Sequence, residues 1–330
     1  MPTATVIVVA YESGDALTRC LDSLEGDDVV VVNNGRRGPE IADAEARVRV
    51  VQAANDGFGA GCNRGAREAA GDVLVFVNPD TVVQPGAVDA LARRLEDRAI
   101  GIAQARLALL DDPLTLNSSG NVLHVSGLAW PGGYGDPVAA VDDVRDIAYA
   151  SGAAFAIRAD LFRELGGFLE ELFLYQEDLE LSWRVRQRGL RVVVEPAADV
   201  LHAYVLVRTD RRKEYYLERN RLVFVLTAYS GRLLALLAPV LLAAEVGLSL
   251  LALRQGWLRE KARGWAWLLR RTAWLHARRR EVQRERRVRD RELARYLTPL
   301  LDARMLELPP GVAGANALLA AWWRGVRVFL

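Results

Sequence analysis

The sequence predicts an α/β protein with a mostly parallel central sheet flanked by helices, followed by a helical C-terminal region. Three observations predict this class. Short β-branched runs alternate with helical segments over residues 1–230, as in βαβ units. Those runs lack polar alternation, which is typical of parallel strands buried on both faces. Residues 231–330 instead contain a long apolar stretch and an arginine-rich helical pattern, so we expect two domains, 1–230 and 231–330.

The first elements are predicted by β-branched runs and the polar turns that follow them. Residues 5–10, Thr-Val-Ile-Val-Val-Ala, predict a buried strand, and Ser13 with Asp15 can cap a helix over 16–24. The next two strands end in Asn- and Gly-rich turns, which are typical of ligand loops in open parallel sheets. These strands and turns are 29–32 with Asn33-Asn34-Gly35, and 48–51 with Asn55-Asp56-Gly57.

A glycine-rich segment opens a helix over 58–70, and a strand over 72–77 ends in Asn78-Pro79-Asp80. Because Pro79 forces a turn, we expect Asp80 to project from the strand end. The later elements continue the alternation, apart from a Gly-rich insertion that predicts loops with short strands. They are a helix over 85–97, a strand over 100–105, the insertion over 111–144, a strand over 148–157, a short helix over 160–165, and strands over 191–195 and 199–202.

The acidic pair Glu177-Asp178 follows an aromatic and apolar run at 172–175 and opens a helix that ends at Gly189. A carboxylate in the first turn and a glycine at the C′ position favour these helix ends. A carboxylate with an apolar wall behind it can act as a general base, because partial desolvation raises its pKa. The alternative interpretation is an ordinary charged helix N-terminus on the surface.

The formal net charge of +1 hides an asymmetry, because a dense arginine and lysine run occupies 254–295. Such a run predicts an anionic partner. The two cysteines, Cys20 and Cys62, lack metal-ligand spacing, and the N-terminal residues show no signal-peptide pattern. We therefore expect a reduced, cytosolic compartment. We expect no nucleic-acid partner, because no zinc spacing or nucleic-acid motif accompanies the arginines.

Gly59, Gly61 and Gly65 lie between a predicted strand and a helix, with Asp80 about twenty residues on, which resembles a dinucleotide-binding fingerprint. That fingerprint normally occupies the first βα turn, whereas here two strands precede it. An NAD(P)-dependent oxidoreductase is therefore the less favoured alternative.

Several motifs, in order, resemble the family 2 inverting glycosyltransferases, most closely their bacterial rhamnosyltransferase-type members. The resemblance covers about residues 5–230 and implies the GT-A nucleotide-diphospho-sugar transferase fold. The motifs that carry it are residues 6–13 (Val-Ile-Val-Val-Ala-Tyr-Glu-Ser), 32–34 (Val-Asn-Asn), 55–65 (Asn-Asp-Gly-Phe-Gly-Ala-Gly-Cys-Asn-Arg-Gly), 78–80 (Asn-Pro-Asp), 152–155 (Gly-Ala-Ala-Phe), Glu177-Asp178 and His202.

The resemblance implies a donor site for a dTDP or UDP sugar at the carboxyl ends of the first strands. The family usually has aspartate where Asn33 stands, so Asn33 would accept from the base through an uncharged amide oxygen. Cations at Arg208 or Lys213 would stabilise the leaving group. The donor-binding residues that the resemblance implies are Ala10, Tyr11, Glu12, Asn33, Asn34, Asn55, Gly57, Phe58, Gly59, Asn63, Asn78, Gly152, Arg208 and Lys213.

The resemblance also implies a metal site and a catalytic base. Asp80 and His202 would bind Mg²⁺ or Mn²⁺, with Asn78 replacing the first acid of an Asp-x-Asp motif. Asp178 would be the base, and Glu177 would orient the acceptor. The implied reaction is an inverting transfer, with rhamnose from dTDP-rhamnose as the expected sugar and a lipid-linked glycan or envelope polysaccharide as the acceptor. A nucleotide-sugar-binding module without turnover is the alternative.

Residues 233–253 are long enough to cross a bilayer, with Glu245 as their one charge. A crossing would separate the cytosolic donor site from the arginine-rich run, so we expect a helix in the interface or a re-entrant hairpin at Pro239. The run would meet anionic lipids at the cytoplasmic face, and 312–330 would form another surface helix. A solvated helical hairpin is the alternative, and the oligomeric state stays open. The expected headgroup-depth tryptophans are Trp257, Trp265, Trp267 and Trp274.

Overall fold

The structure is a computed structural model that describes residues 2–24, 26–36, 47–204, 211–302, 304 and 312–330. The chain forms two compact units. The first comprises Met1–Asn121, Pro131–Val185 and Leu190–Leu206, and the second comprises Val122–Trp130, Arg186–Gly189 and Val207–Leu330. The predicted division at residue 230 does not coincide with a boundary of these units, and it stays a prediction.

The secondary structure follows the predicted alternation through residue 202. In chain order the strands are β1 (Ala4–Ala10), β2 (Asp28–Asn33), β3 (Val48–Gln52), β4 (Val73–Val77), β5 (Thr81–Val83), β6 (Ile100–Leu109), β7 (Leu116–Ser118), β8 (Asn121–His124), β9 (Ala129–Pro131), β10 (Arg145–Asp146), β11 (Ala154–Arg158), β12 (Arg191–His202) and β13 (Leu297–Thr298). The helices are α1 (Gly14–Asp22), α2 (Phe58–Glu68), α3 (Ala87–Arg94), α4 (Ala159–Glu164), α5 (Glu177–Gln187), α6 (Arg211–Ala228), α7 (Gly231–Gln255), α8 (Leu258–Arg270), α9 (Thr272–Glu285), α10 (Asp290–Leu293) and α11 (Val312–Val328).

The first unit is built on a mixed sheet in the order β10-β12-β6-β11-β4-β1-β2-β3. β3, β2, β1 and β4 run parallel, and β11 is antiparallel to both neighbours, β4 and β6. Apolar side chains of β1, β2 and β4 alternate between two apolar cores, one on each face of the sheet. Burial on both faces explains the uninterrupted apolar runs, and the predicted fold class is confirmed.

The parallel strands place their polar ends at one edge of the sheet. Ala10 lies opposite Asn33 in register, and the Asn34 amide donates to the Ala10 carbonyl at 2.8 Å. A Cβ atom on Gly61 would lie 2.7 Å from Cγ1 of Val9. This glycine therefore serves close packing of α2 on β1, a structural reason for part of the dinucleotide-like pattern.

Two predicted elements differ from the observed ones. The predicted strand over 148–157 is shorter, because β11 begins only at Ala154 and the backbone at Gly152 bonds to a side chain instead of a strand. The two strands predicted over 191–195 and 199–202 are one strand, β12, whose register with β6 shifts between Glu195 and Asp199. Ser13 precedes α1 as predicted, but its side chain makes no cap bond.

The second unit is mainly helical, with β13 pairing parallel to β8 at Leu297 and Leu123. α7 continues through Pro239 as one 25-residue helix, so the re-entrant hairpin was the wrong expectation. By length and composition α7 could cross a membrane, and it is the one such helix in the described residues. Trp257 is 7% exposed, which contradicts its expected place at headgroup depth, and Trp267 packs against Trp274 with ring centroids 5.5 Å apart.

Candidate active site

The acidic pair opens α5, as the sequence predicted, and the loop before it has an unusual backbone. Phe173, Tyr175 and Gln176 have φ values of 63°, 68° and 65°. Non-glycine residues in this region cost about 1–3 kcal/mol each and cluster at functional sites. The Phe173 carbonyl accepts from the Phe58 amide at 2.7 Å. A Cβ on Gly57 would lie 2.7 Å from the Phe173 Cα atom, so Gly57 allows this close approach.

The Asp178 carboxylate is fixed by backbone donors on both oxygens. Its Oδ2 atom accepts from the Gly152 amide at 2.9 Å, and its Oδ1 atom accepts from the Leu179 amide at 2.7 Å. Burial raises the pKa of Asp178 to about 6, against the lowering effect of these hydrogen bonds. The residue is only partly buried. Asp178 is therefore ionised at neutral pH, held in one orientation, and more basic than an ordinary aspartate.

Glu177 lies in a different environment from its neighbour. It is 6% exposed, and its Oε2 atom has no hydrogen-bond partner among the described residues. Burial, and then the charge of Asp178, raise the pKa of Glu177 to about 8. A Cβ on Gly59 would lie 3.8 Å from the Glu177 Cβ, so Glu177 faces α2 while Asp178 faces Gly152. Burial and the charge of Asp178 thus both oppose ionisation of Glu177.

Asp80 and His202 lie together, as expected for two ligands of one metal ion. Nε2 of His202 is 3.4 Å from Oδ1 of Asp80, and Nδ1 of His202 is 2.9 Å from Oδ1 of Asn117. The Asn117 oxygen accepts the Nδ1 proton, so the lone pair of Nε2 faces Asp80. The buried Asp80 Oδ1 atom lacks a hydrogen-bond partner in the described part of the chain.

These residues fit a hard divalent ion. An unpaired carboxylate oxygen and an imidazole nitrogen in the ligating tautomer converge on one point. No group of three His, Cys, Asp or Glu side chains that could hold a metal occurs in the described residues. Diphosphate oxygens and water would therefore have to complete the ligand set. The backbone of Asn78 fixes the turn before Asp80. Its amide donates to the Ala153 carbonyl at 2.9 Å, and its carbonyl accepts from Thr81 Oγ1 at 2.8 Å.

The predicted base and ribose contacts lie at the ends of β1 and β2. Ala10 is buried, and Tyr11 is 56% exposed. Glu12 is exposed and has a φ of 50°. Asn33 accepts from the Gly35 amide at 3.0 Å and donates to Gln52 Oε1 at 2.7 Å. Asn34 donates to the Gly57 carbonyl at 3.4 Å, while its buried Oδ1 atom has no partner among the residues that the structure describes.

The predicted donor residues at the start of α2 mostly organise loops. Asn63 accepts from the Phe168 amide at 2.8 Å and donates to the Phe168 carbonyl at 3.0 Å and to Glu170 Oε1 at 2.9 Å. Asn55 accepts from the Gly57 amide at 3.2 Å. The Phe58 ring packs edge-on to Phe168 at 6.2 Å. A Cβ on Gly59 would lie 3.1 Å from the Phe168 Cβ, so Gly59 admits this aromatic side chain.

For two predicted donor residues the structure tests no contact with this site. Arg208 is outside the described residues, and Lys213 is a half-buried residue of α6 in the second unit. Sequence reasoning missed Asn117 and Tyr149, both in or beside the irregular insertion. Tyr149 is buried, and burial followed by the charge of Asp178 raises its pKa. The signal that could have identified them is weak, because neither belongs to a recognised motif.

Comparisons with known proteins point to glycosyltransferases. Residues 5–166 match the family model described as Glycosyl transferase family 2. A pre-mycofactocin glycosyltransferase of Mycobacterium tuberculosis (strain H37Rv) is 26% identical over 219 residues, covering 64% of this chain and 45% of that protein. This chain therefore spans less than half of that relative. An N-acetylglucosaminyl-diphospho-decaprenol L-rhamnosyltransferase of the same organism is 28% identical over 235 residues, covering 60% of this chain and 75% of that protein.

Two solved structures share the fold. A structure of GalNAc-T7 with UDP, GalNAc and Mn²⁺ superposes with a TM-score of 0.58 at 17% identity, covering 72% of this chain and 50% of that one. Residues 1–349 of S. aureus TarS give a TM-score of 0.51 at 16% identity, covering 98% of this chain and 90% of that one. At these identities the likeness shows the GT-A-like fold alone.

Proposed function

Because this chain belongs to glycosyl transferase family 2, we propose that it transfers a sugar from a nucleotide diphosphate to an acceptor hydroxyl with inversion. One observation carries the proposal. Backbone amides hold both oxygens of the partly buried Asp178 carboxylate, and burial raises its pKa to about 6. A general base needs this combination of fixed orientation and raised basicity.

The chemical step is a single displacement. Asp178 takes the proton of the acceptor hydroxyl while that oxygen forms a bond to the anomeric carbon of the donor. The bond from the anomeric carbon to the diphosphate oxygen breaks, and the electron pair leaves with the nucleoside diphosphate. Attack opposite the leaving group inverts the anomeric centre. Glu177 faces α2, and its raised pKa opposes a second negative charge beside Asp178.

Asp80 and His202 would hold a Mg²⁺ or Mn²⁺ ion against the diphosphate. When bound, the ion supplies Lewis-acid stabilisation of charge on the leaving diphosphate. Asn117 keeps the Nε2 lone pair of His202 available at the site.

The proposed donor is a dTDP or UDP sugar, with rhamnose the expected sugar. The proposed acceptor is a lipid-linked glycan or a polysaccharide precursor at the cytoplasmic face of the membrane. Support comes from the relative named as an N-acetylglucosaminyl-diphospho-decaprenol L-rhamnosyltransferase. The exposed apolar helix α7 is compatible with peripheral association at that surface.

The test is a panel of dTDP- and UDP-sugars with Mn²⁺, offered to the full chain with a lipid-linked saccharide acceptor. Release of nucleoside diphosphate, with an inverted anomeric configuration of the product by NMR, is the expected result. A product of retained configuration would overturn the mechanism. Tight donor binding without release from any donor would favour a binding module without turnover.

A further inference from the structure

The exposed side of α7 is apolar from one end to the other. Leu242, Val246, Leu250 and Leu253 are 66%, 54%, 63% and 65% exposed. At 3.6 residues per turn they share one face of the helix. Exposed small residues fill the same face, and no charged residue interrupts it between Arg232 and Arg254. These small residues are Ala235, Ala238, Pro239 and Ala243.

Glu245 is the single charge between those arginines in the sequence, and at 3.6 residues per turn it lies at the border of this face, with its side chain bonded to α6 and α8. It pairs with Arg221 of α6 and lies 3.1 Å from Nζ of Lys261 on α8. Glu218 of α6 completes the cluster, pairing with Lys261 and with Arg221 at 3.1 Å. The cluster pairs two acidic with two basic side chains, so it has no net formal charge.

This four-residue cluster also fixes how α7 can meet a membrane. Lys261 and Arg221 are each 1% exposed and Glu218 is 5% exposed, so Glu245 is attached to the interior of the second unit. If α7 crossed a bilayer, the three partners would enter the hydrocarbon with it, or Glu245 would enter unpaired. Both arrangements are costly. An orientation with the apolar face against the membrane and the cluster on the cytosolic side avoids both.

We propose that α7 lies flat on an anionic lipid bilayer, inserting the face of Leu242, Val246, Leu250 and Leu253 at the depth of the headgroups. Charge complementarity identifies an anionic bilayer as the partner of this face. Exposed Arg232 and Arg254 bound the face and lie about 33 Å apart at 1.5 Å per residue, both in reach of lipid phosphates when the helix is parallel to the surface.

An aromatic residue at the edge of this face supports the same orientation. Trp265 of α8 is 37% exposed, and its Nε1 atom donates to Glu245 Oε2 at 3.2 Å. An indole with one polar anchor and an exposed ring is typical of residues at the membrane interface. This inference rests on the proposed function only for the choice of membrane, since a lipid-linked acceptor is presented at the cytoplasmic face.

The first experiment measures binding of the full chain to vesicles of phosphatidylglycerol mixed with phosphatidylcholine. Leu250→Glu should weaken binding by about tenfold or more, because a carboxylate enters the inserted face and is repelled by anionic lipid. The matched control is Leu114→Glu in the first unit, where the leucine is 79% exposed, and it should bind like the wild type. Equal binding by Leu250→Glu would overturn the proposal.

The second experiment distinguishes an α7 helix that lies on the bilayer from one that crosses it. Single cysteines at 235, 242 and 250, labelled with an environment-sensitive dye, report depth through quenching by spin-labelled lipids; native Cys20 and Cys62 are buried. A flat helix gives similar, shallow depths at all three positions. A deep position for residue 242 with shallow positions for residues 235 and 250 would show that α7 crosses the bilayer. An absence of quenching, together with the molecular mass of a dimer, would show that a second copy of the chain covers this face. Either result overturns the proposal.

The failure of this inference is distinguishable from failure of the proposed function. Leu250→Glu leaves every proposed donor and metal residue intact. When it transfers the sugar to a water-soluble acceptor, its rate of nucleoside diphosphate release should therefore equal that of the wild type. Loss of vesicle binding with this activity retained supports docking by α7, whereas a wild-type protein that binds vesicles but turns over no donor contradicts the function alone.

Discussion

Oδ1 of Asn117 accepts a hydrogen bond from Nδ1 of His202 at 2.9 Å, while Nε2 of the same ring faces Oδ1 of Asp80 at 3.4 Å. The amide thus selects the tautomer that can bind a metal ion. Partners of this kind on ligating histidines typically change metal affinity by about 10- to 100-fold. Asn117 is 2% exposed, so water cannot easily replace it.

We predict that Asn117→Ala lowers the affinity for Mn²⁺, measured by electron paramagnetic resonance in the presence of UDP, by about 10- to 100-fold. The control is the same substitution in a His202→Ala background, where it should have no further effect on Mn²⁺ affinity. Equal losses in both backgrounds would mean that Asn117 acts on the fold and not through His202.

Asp178→Asn should lower turnover by about 10²- to 10⁴-fold while leaving donor affinity nearly unchanged, because only the proton acceptor is removed. Asparagine retains an oxygen that can accept from Gly152 or Leu179. Steady-state kinetics and calorimetry with donor measure the two effects. Asp160→Asn, an exposed acid on α4, is the matched control. Turnover near the wild-type value in Asp178→Asn would assign the base elsewhere.

The pH profile should follow the ionisation of Asp178. Since its pKa is raised to about 6 and the ionised form is the active base, kcat/KM should fall as the pH drops below about 6. If the base were an aspartate of ordinary pKa, kcat/KM would fall only below about pH 4. A profile that stays flat down to pH 5 would contradict the assignment.

The same acidic pair predicts a pH dependence of stability. The pKa of Glu177 is raised in the folded protein from 4.5 to about 8, so the folded state holds its proton more tightly than the unfolded state. The stabilising contribution is complete below pH 4.5 and is lost as the pH rises towards 8. Glu177→Gln should therefore flatten the decline of Tm between those values. An unchanged slope would show that Glu177 does not carry this proton.

Local sequence patterns predicted many of the strands and helices, but they could not predict contacts between side chains that are far apart in the sequence. The strand that ends before Asp80 and the helix that begins at the Glu177-Asp178 pair follow from apolar runs and turn residues. Asn117 is separated from His202 by 85 positions and lies in an irregular insertion, so only the pairing of β7 and β12 with β6 brings the two together. Glu245 likewise resembled an unpaired charge in an apolar stretch, because its partners belong to α6 and α8.

The buried cluster of Glu218, Arg221, Glu245 and Lys261 gives the last prediction. Lys261→Met removes one base and leaves two carboxylates facing a single guanidinium. Breaking a buried ion pair by removing one partner costs about 3–5 kcal/mol, so chemical denaturation should show a loss of that order. The control is Arg259→Ala, an exposed position on the same helix, which should change stability by about 0.5 kcal/mol or less.

The double variant Lys261→Met with Glu218→Gln restores charge balance around Arg221 and Glu245. Because the excess negative charge is removed, part of the lost stability should return, and the two substitutions should be non-additive by about 0.5–3 kcal/mol. Strict additivity would show that Glu218 and Lys261 do not act as a pair. The cluster would then be too weak to attach α7 to its unit, and the argument against a crossing helix would lose its energetic basis.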